Sequence, residues 1–135
     1  MAQLQTFERT NIFKDFDISF SLNPITGDVG VKTDVNAINQ SIRSLLNTNY
    51  YERPFQPDIG SNLRGFLFEI SDPITVSNIR KSISETIANY EPRVTVNKIY
   101  IEDLTDSNAY HISLEYTIRG INTIGSFETI LKRLR

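Results

Sequence analysis

The chain has 135 residues, of which 39% are hydrophobic and 22% charged, a composition typical of one folded domain with a single core. Its 14 basic and 16 acidic residues nearly balance, which argues against a dedicated nucleic-acid or membrane surface, because both require a positive field. There is no cysteine, which excludes disulfides and thiolate metal sites, and no apolar run approaches the ~20 residues of a membrane-spanning helix.

The first third of the sequence predicts an irregular start, a hairpin and a helix. Residues 1–16 have scattered hydrophobes and no signal-peptide pattern, so we expect an arm or irregular start on a soluble protein made in a reducing cytoplasm. Residues 17–31 predict a small hairpin, because apolar residues alternate with serines before a turn cluster at 23–28. Asp34 is the expected N-cap of an amphipathic helix of about three turns, ending near residues 47–49.

The middle of the sequence predicts an ordered loop followed by two helices. Residues 50–62 are rich in aromatic residues and prolines, and each proline disfavours a helical conformation in the residue before it. A short helical segment is expected from Leu63 to Phe68. Asp72 and Pro73 then provide a cap and a first-turn proline for the clearest helix of the chain. Its apolar face has helical spacing and consists of Ile79, Ile83, Ile87 and Tyr90.

The remaining sequence predicts a sheet. Residues 94–101 alternate with a phase slip near Asn97 and Lys98, which indicates a β-bulge. The next segment is a strand with one dry face, formed by Tyr110, Ile112, Leu114, Tyr116 and Ile118. Residues 125–134 fit a helix or a strand by spacing alone. Together the elements predict a single α+β domain over residues 1–135, with a small antiparallel or mixed sheet against two main amphipathic helices.

Motifs for catalysis and metal binding are scarce. His111, the single histidine, lies on the polar face of its strand without other ligands at metal-site spacing, which is typical of a solvated residue. Neither a phosphate-binding loop nor a serine-nucleophile motif is present. A glycosidase would need two carboxylates, and the candidates are Glu52, Asp58, Glu69, Asp72 and Glu91. Capping and loop hydrogen bonds explain most of these acids, so we expect no catalytic residues, no metal and no cofactor.

Glu91-Pro92-Arg93 stands between the long helix and the first strand of the sheet. In one interpretation Pro92 ends the helix, while Glu91 and Arg93 are solvated or paired with each other; exposed pairs contribute only about 0–1 kcal/mol. In the other, the turn presents both charges to a partner, because the planar fork of arginine suits such a contact. Physical chemistry alone favours the first interpretation.

Three stretches together resemble the lysozyme-like baseplate wedge and sheath-initiator family of contractile-tailed phages, which is related to a type VI secretion baseplate component. They are the loop from Arg53 to Leu63, the segment from Leu67 to Thr75, and the helix and turn from Ile79 to Val94. The resemblance implies a structural protein, not an enzyme, that binds the wedge core bundle and templates the first sheath ring. It also implies a fold similar to the strand-exchanging domain of the sheath subunit.

The resemblance places expected contacts on three parts of the chain. Partner binding is expected at Glu91, Pro92 and Arg93. An interface loop is expected at Arg53, Pro54, Phe55 and Pro57. A C-terminal strand, favoured here over a helix, would form the sheet edge for sheath contact with Phe127, Thr129 and Leu131.

The implied partners are other wedge proteins, the sheath subunit and tail tube–baseplate proteins, with no nucleic acid or membrane. The implied location is the tail baseplate of a virion assembled in the host cytoplasm. Two alternatives remain open at this point. One is a peptidoglycan hydrolase with Glu69 or Glu91 as its acid, and the other is a regulatory adaptor domain.

Overall fold

A computed structural model describes residues 13–133 of the chain, so the predictions for residues 1–12 lie outside the described residues. The described elements in chain order are β1 (Lys14–Phe16), β2 (Val31–Thr33), α1 (Asp34–Asn47), α2 (Leu63–Phe66), α3 (Pro73–Tyr90), β3 (Val94–Leu104), a 3-10 turn (Thr105–Ser107), β4 (Ala109–Ile118) and β5 (Thr123–Lys132). The prediction of an α+β fold with two main helices and a small sheet is confirmed.

The N-terminal hairpin exists, but its strands differ from the predicted ones. β1 and β2 pair antiparallel at its base, and between them residues 17–30 form a looped tip whose one bridge joins Leu22 to Val29. The prediction of a strand from residue 18 was wrong. Side chains form hydrogen bonds with backbone groups that a neighbouring strand would otherwise bind. The Gln40 amide donates to Phe16 O at 2.6 Å and accepts the Ile18 N–H at 3.1 Å.

The irregular start predicted for residues 1–16 does not extend to Phe16, because Lys14–Phe16 form β1. Lys14 lies opposite Thr33 and Phe16 opposite Val31, so the last three residues of that segment are paired. Phe13, just before them, packs against the core. The described end of the segment is therefore part of the folded domain.

The helices begin where their sequences favour capping, with small shifts. Thr33, not Asp34, occupies the N-cap position of α1, and α2 ends two residues before the predicted Phe68. The cap of α3 is confirmed, since the Asp72 carboxylate accepts the Thr75 N–H at 2.6 Å. That hydrogen bond lowers the pKa of the Asp72 carboxyl below its ordinary value.

The sheet has the order β3-β4-β5 and is antiparallel throughout. The predicted bulge is confirmed by the register shift between Val96 and Lys98. The predicted dry face of β4 is also confirmed, and it forms the core with the apolar faces of α1 and α3. Residues 123–132 form strand β5, as favoured above. Gly125 lets β5 approach this core, since a Cβ there would lie 2.5 Å from the Tyr116 ring.

Candidate functional site: a buried ion pair and the surfaces around it

Glu91 ends α3 and turns its carboxylate into the protein, where the side chain is only 3% exposed. Arg93 binds it with both edges of its fork: Nε donates to Oε1 at 2.6 Å and Nη2 to Oε2 at 2.9 Å. Ser41 Oγ on α1 also donates to Oε2, at 2.5 Å. A carboxylate that is removed from water is thus compensated by one cation and three hydrogen bonds.

Arg93 extends this pair to the N-terminal hairpin. Its Nη1 lies 3.1 Å from Oδ2 of Asp15 in β1, and its guanidinium stands 5.6 Å from the centre of the Phe13 ring. One arginine therefore joins the end of α3, the hairpin and, through Glu91, helix α1. We refer to Asp15, Ser41, Glu91 and Arg93 as the arginine network.

The network determines the charge states of its members. Burial disfavours the ionised form of Glu91, but hydrogen bonds from Arg93 and Ser41 outweigh burial and lower the pKa of its carboxyl. The hydrogen bond to Glu91 raises the pKa of the Arg93 guanidinium. Nearby, burial and then the charge of Glu91 raise the pKa of Tyr116 to about 12, and its hydroxyl donates to Asn39 Oδ1 at 2.6 Å.

These charge states bear on the hydrolase hypothesis. The acid of a glycoside hydrolase must hold a proton near its working pH, which requires a raised pKa. Glu91 has the opposite shift and is occupied by Arg93 and Ser41. Glu69, the other candidate, is an exposed residue whose carboxylate lies 3.4 Å from Thr75 Oγ1. The environment of Glu91 is therefore not that of a catalytic acid.

The structure shows what the Glu-Pro-Arg turn offers to a partner. Glu91 and Arg93 pair with each other, as the first interpretation held, but the pair is not solvated because Glu91 faces inward. Pro92 is exposed, and the Arg93 side chain retains 22% of its accessible surface. The partner-binding role of the turn stays a prediction, and Glu91 could act in it only by holding Arg93.

The predicted interface loop is ordered and strongly exposed. Phe55 is 97% accessible and lies between Pro54 and Pro57. The loop is closed by the Tyr51 N–H, which donates to Pro57 O at 2.8 Å, and is tied to α3 by the hydroxyl of Tyr90, which donates to Asp58 O. An exposed aromatic residue on a fixed loop is suited to entering a pocket on a partner.

The predicted edge strand lies at the edge of the sheet, since β5 pairs with β4 and no strand within residues 13–133 pairs with its other side. Phe127, Thr129 and Leu131 face the core side. In an antiparallel pair, the N–H groups of every second residue point to the same neighbouring strand. The Arg133 N–H donates to Asn108 O beside β4. The N–H groups of the three other odd-numbered residues therefore also point to β4. The free edge consequently presents the backbone of the even-numbered residues Ser126, Glu128 and Ile130.

The described residues were compared with the requirements of a metal site and of a membrane-spanning helix. Residues 13–133 contain no cluster of three potential metal ligands, and His111 stands 3.8 Å from Glu128 at the surface. None of the helices in that range is long and apolar enough to cross a membrane. No local pattern in the sequence marks Asp15 and Ser41 as network members, because their contacts with the turn span 78 and 50 residues.

Comparison with known proteins identifies the family. Residues 32–123 match the family model described as "Baseplate wedge protein gp25", and the chain belongs to this family. The gp25 baseplate wedge protein of Enterobacteria phage T4 is 25% identical over 91 residues, which are 67% of this chain and 69% of that protein. The chain is therefore a baseplate wedge protein of the gp25 family.

Solved structures share the fold. A tail-lysozyme candidate from Geobacter sulfurreducens has a TM-score of 0.65 and 26% identity over 73% of this chain and 91% of its own. A chain in the anti-feeding prophage baseplate has a TM-score of 0.63 and 22% identity over 91% and 87%. A chain in the postcontracted pyocin R2 baseplate has a TM-score of 0.60 and 18% identity over 74% and 98%. At such identities the last two comparisons support the fold alone.

Proposed function

We propose that the chain is a non-enzymatic assembly protein that binds neighbouring wedge proteins and provides the sheet edge on which the first sheath ring forms. The observation that supports this most directly is the free edge of β5, a ten-residue strand whose pairing with β4 has no register shift. A partner strand can add to such an edge through backbone hydrogen bonds. The other edge of the sheet, β3, is interrupted by the bulge between Val96 and Lys98, a feature that discourages strand addition.

Wedge binding is assigned to the surface beside the arginine network. Pro92 and the exposed part of Arg93 are available there, while Glu91 fixes the guanidinium from behind. The exposed Phe55 loop provides a second contact. A cation that is already held in place, and an aromatic residue on a loop whose backbone is tied, lose less freedom on binding, which favours assembly. The tail tube–baseplate proteins are further candidate partners, and assembly takes place in the host cytoplasm.

The sheath role is tested by removing one outward-facing backbone donor from β5. Glu128→Pro eliminates the N–H that points to the free edge, and proline is tolerated where an edge-strand N–H faces solvent. The matched control is Glu128→Ala, which removes the same side chain and keeps the N–H. We expect Glu128→Pro to co-purify with wedge proteins of the same system but not to nucleate sheath, whereas Glu128→Ala does both. Normal sheath nucleation by Glu128→Pro would refute strand addition at β5.

The wedge role is tested at Pro92, because substitutions in the buried pair would also disturb the fold. Pro92→Lys adds a long side chain at the surface, and Pro92→Ala makes the same backbone change without that bulk. We expect Pro92→Lys to lose co-purification with wedge proteins and Pro92→Ala to retain it, with matching circular dichroism spectra. If both variants bind as the wild type does, the turn is not a wedge contact.

A further inference from the structure

The tip of the N-terminal hairpin, here called the hairpin arm (residues 16–31), exposes an unusual number of large apolar side chains. Each of six is more than half accessible: Phe16, Ile18, Phe20, Leu22, Ile25 and Val31. One aromatic side chain alone presents roughly 150–250 Å². Even one side of the arm therefore falls within the ~300–600 Å² that is usual for the largest apolar patch on a monomer, and such patches often mark interaction sites.

The arm is held in one conformation by contacts with the rest of the domain. The Gln40 side chain on α1 binds the backbone of Phe16 and Ile18. The Asp17 carboxylate accepts the Ser19 N–H at 3.0 Å and lies 3.5 Å from Lys32 Nζ. These bonds pair the Asp17 charge at the base of the arm, and large apolar side chains remain exposed beyond it. A surface that is ordered before binding loses little conformational freedom when a partner arrives.

The backbone of the arm is already hydrogen-bonded internally. The N–H of Asp17 donates to Gly30 O, that of Gly30 to Ser21 O, and that of Phe20 to Asp17 O. At the tip, Asn23 donates to Asp28 O, and the Ile25 N–H is bound by the Asn23 side chain. Strand addition needs free backbone groups, and these bonds occupy many of the arm's, so contact through side chains is favoured. A helix meets this condition, because its own backbone is satisfied internally and it contacts others through its side chains.

We propose that the hairpin arm docks against the apolar face of an amphipathic helix on a protein other than this chain. A second copy is a poorer occupant on grounds of area. The six side chains expose on the order of 700 Å² together, of which a two-sided hairpin offers about half to one partner. A stable interface buries about 800 Å² on each side, so two arms would not hold a dimer by themselves. A partner that also contacts the body of the domain gains the missing area there.

The arm lies before residues 32–123, the part that matches the family, so this contact is additional to the turn, the loop and the edge strand. The proposal rests on the proposed function only in that the partner is sought in the assembled baseplate. It predicts a contact whose loss leaves sheath nucleation by β5 unchanged.

The direct test is photo-cross-linking from the arm in assembled particles. The full chain is produced with p-benzoylphenylalanine in place of Phe20, assembled into baseplates and irradiated, and the linked peptides are sequenced by mass spectrometry. Tyr100, an exposed aromatic residue of β3, receives the same probe as a control. We expect the probe at position 20 to link to a helical segment of a different baseplate protein that the probe at position 100 does not reach.

Each other outcome overturns the proposal. A link to a second copy of this chain would indicate self-association, and a link to a strand would contradict contact through a helix. A chain that enters baseplates without any link from position 20 would leave the proposed function intact and remove the arm from it. A wild-type chain that does not enter baseplates would refute both proposals.

A binding measurement with the cross-linked partner provides the second test. Phe20→Ser combined with Ile25→Ser removes two arm side chains, while Ile74→Ser combined with Tyr100→Ser removes one aliphatic and one aromatic side chain that are exposed elsewhere. We expect the arm variant to bind at least about tenfold more weakly than the control variant, as is usual for apolar anchors of an interface. Both variants should keep the wild-type unfolding transition, because all four side chains are exposed. Equal affinities for the partner would overturn the proposal.

Discussion

Replacing Arg93 by alanine leaves the Glu91 carboxylate inside the protein without its cation, and Ser41 Oγ becomes its remaining side-chain donor. Removing one partner of a buried ion pair costs about 3–5 kcal/mol, because the remaining charge is neither hydrated nor compensated. The lost contact with Asp15 adds little, since that side chain is 34% exposed and water screens it. We expect the free energy of unfolding at pH 7 to fall by about 3–5 kcal/mol and Tm by roughly 10 °C or more.

The dependence of this loss on pH identifies its cause. In the wild type, the pKa of Glu91 is lower in the folded than in the unfolded state, so its stabilisation is present above about pH 4.3 and lost as pH falls through the folded pKa. Without Arg93, burial raises the folded pKa above the unfolded value. The variant then gains stability relative to the wild type on acidification. The difference in unfolding free energy should therefore shrink between pH 7 and pH 4.

Urea unfolding followed by circular dichroism at the two pH values measures both quantities. Arg119→Ala is the matched control, because Arg119 is an exposed arginine whose one side-chain bond, to Thr95 Oγ1, is at the surface. It should change stability by no more than about 0.5 kcal/mol at either pH. If Arg93→Ala costs less than about 1 kcal/mol at pH 7, or the same at both pH values, the inference that Glu91 is a buried charge held by Arg93 is wrong.

Four further substitutions test other parts of the structure by the same urea assay. Gly125→Ala should cost about 1–3 kcal/mol, because the new methyl group would overlap the buried Tyr116 ring. Tyr116→Phe should cost about 1–2 kcal/mol by removing a hydrogen bond to α1, and should remove the phenol ionisation near pH 12 from an ultraviolet titration. Asp72→Ala should lower the urea midpoint at pH 7; because the pKa of this cap is lowered, the difference from wild type should vanish in strong acid. Asp15→Asn should change global stability by less than about 1 kcal/mol while increasing hydrogen exchange in β1.

The elements that the sequence predicted well depend on local patterns. The α3 cap, the bulge near Asn97 and the alternation of β4 each follow from residues within a few positions of one another. The hairpin strands were misplaced because two side chains, Asp17 and Gln40, replace strand partners for its backbone, and Gln40 lies more than twenty residues away. Local periodicity contains no information on such a contact.

The same limit applies to the candidate site. The sequence singled out Glu91-Pro92-Arg93 as a unit, and resemblance assigned it to a partner. The sequence could not show that Glu91 faces inward, because the orientation of the Glu91 side chain depends on Ser41 and, through Arg93, on Asp15. The prolines predicted an ordered loop around Phe55, but its exposure was expected only through the resemblance, because an aromatic residue by itself is as readily buried.

The arginine network also determines how assembly defects at the turn are to be interpreted. Arg93 connects the hairpin to the end of α3, so its loss changes the surface at Pro92 and the anchoring of the hairpin arm at the same time. Asp15→Asn weakens only the second connection and keeps Glu91 and Arg93 together. A defect shared by both variants therefore originates in the arm, whereas a defect confined to Arg93→Ala originates in the turn or in the stability of the fold. Arg93 is in this sense a positioning residue for two surfaces, whichever of them the partner contacts.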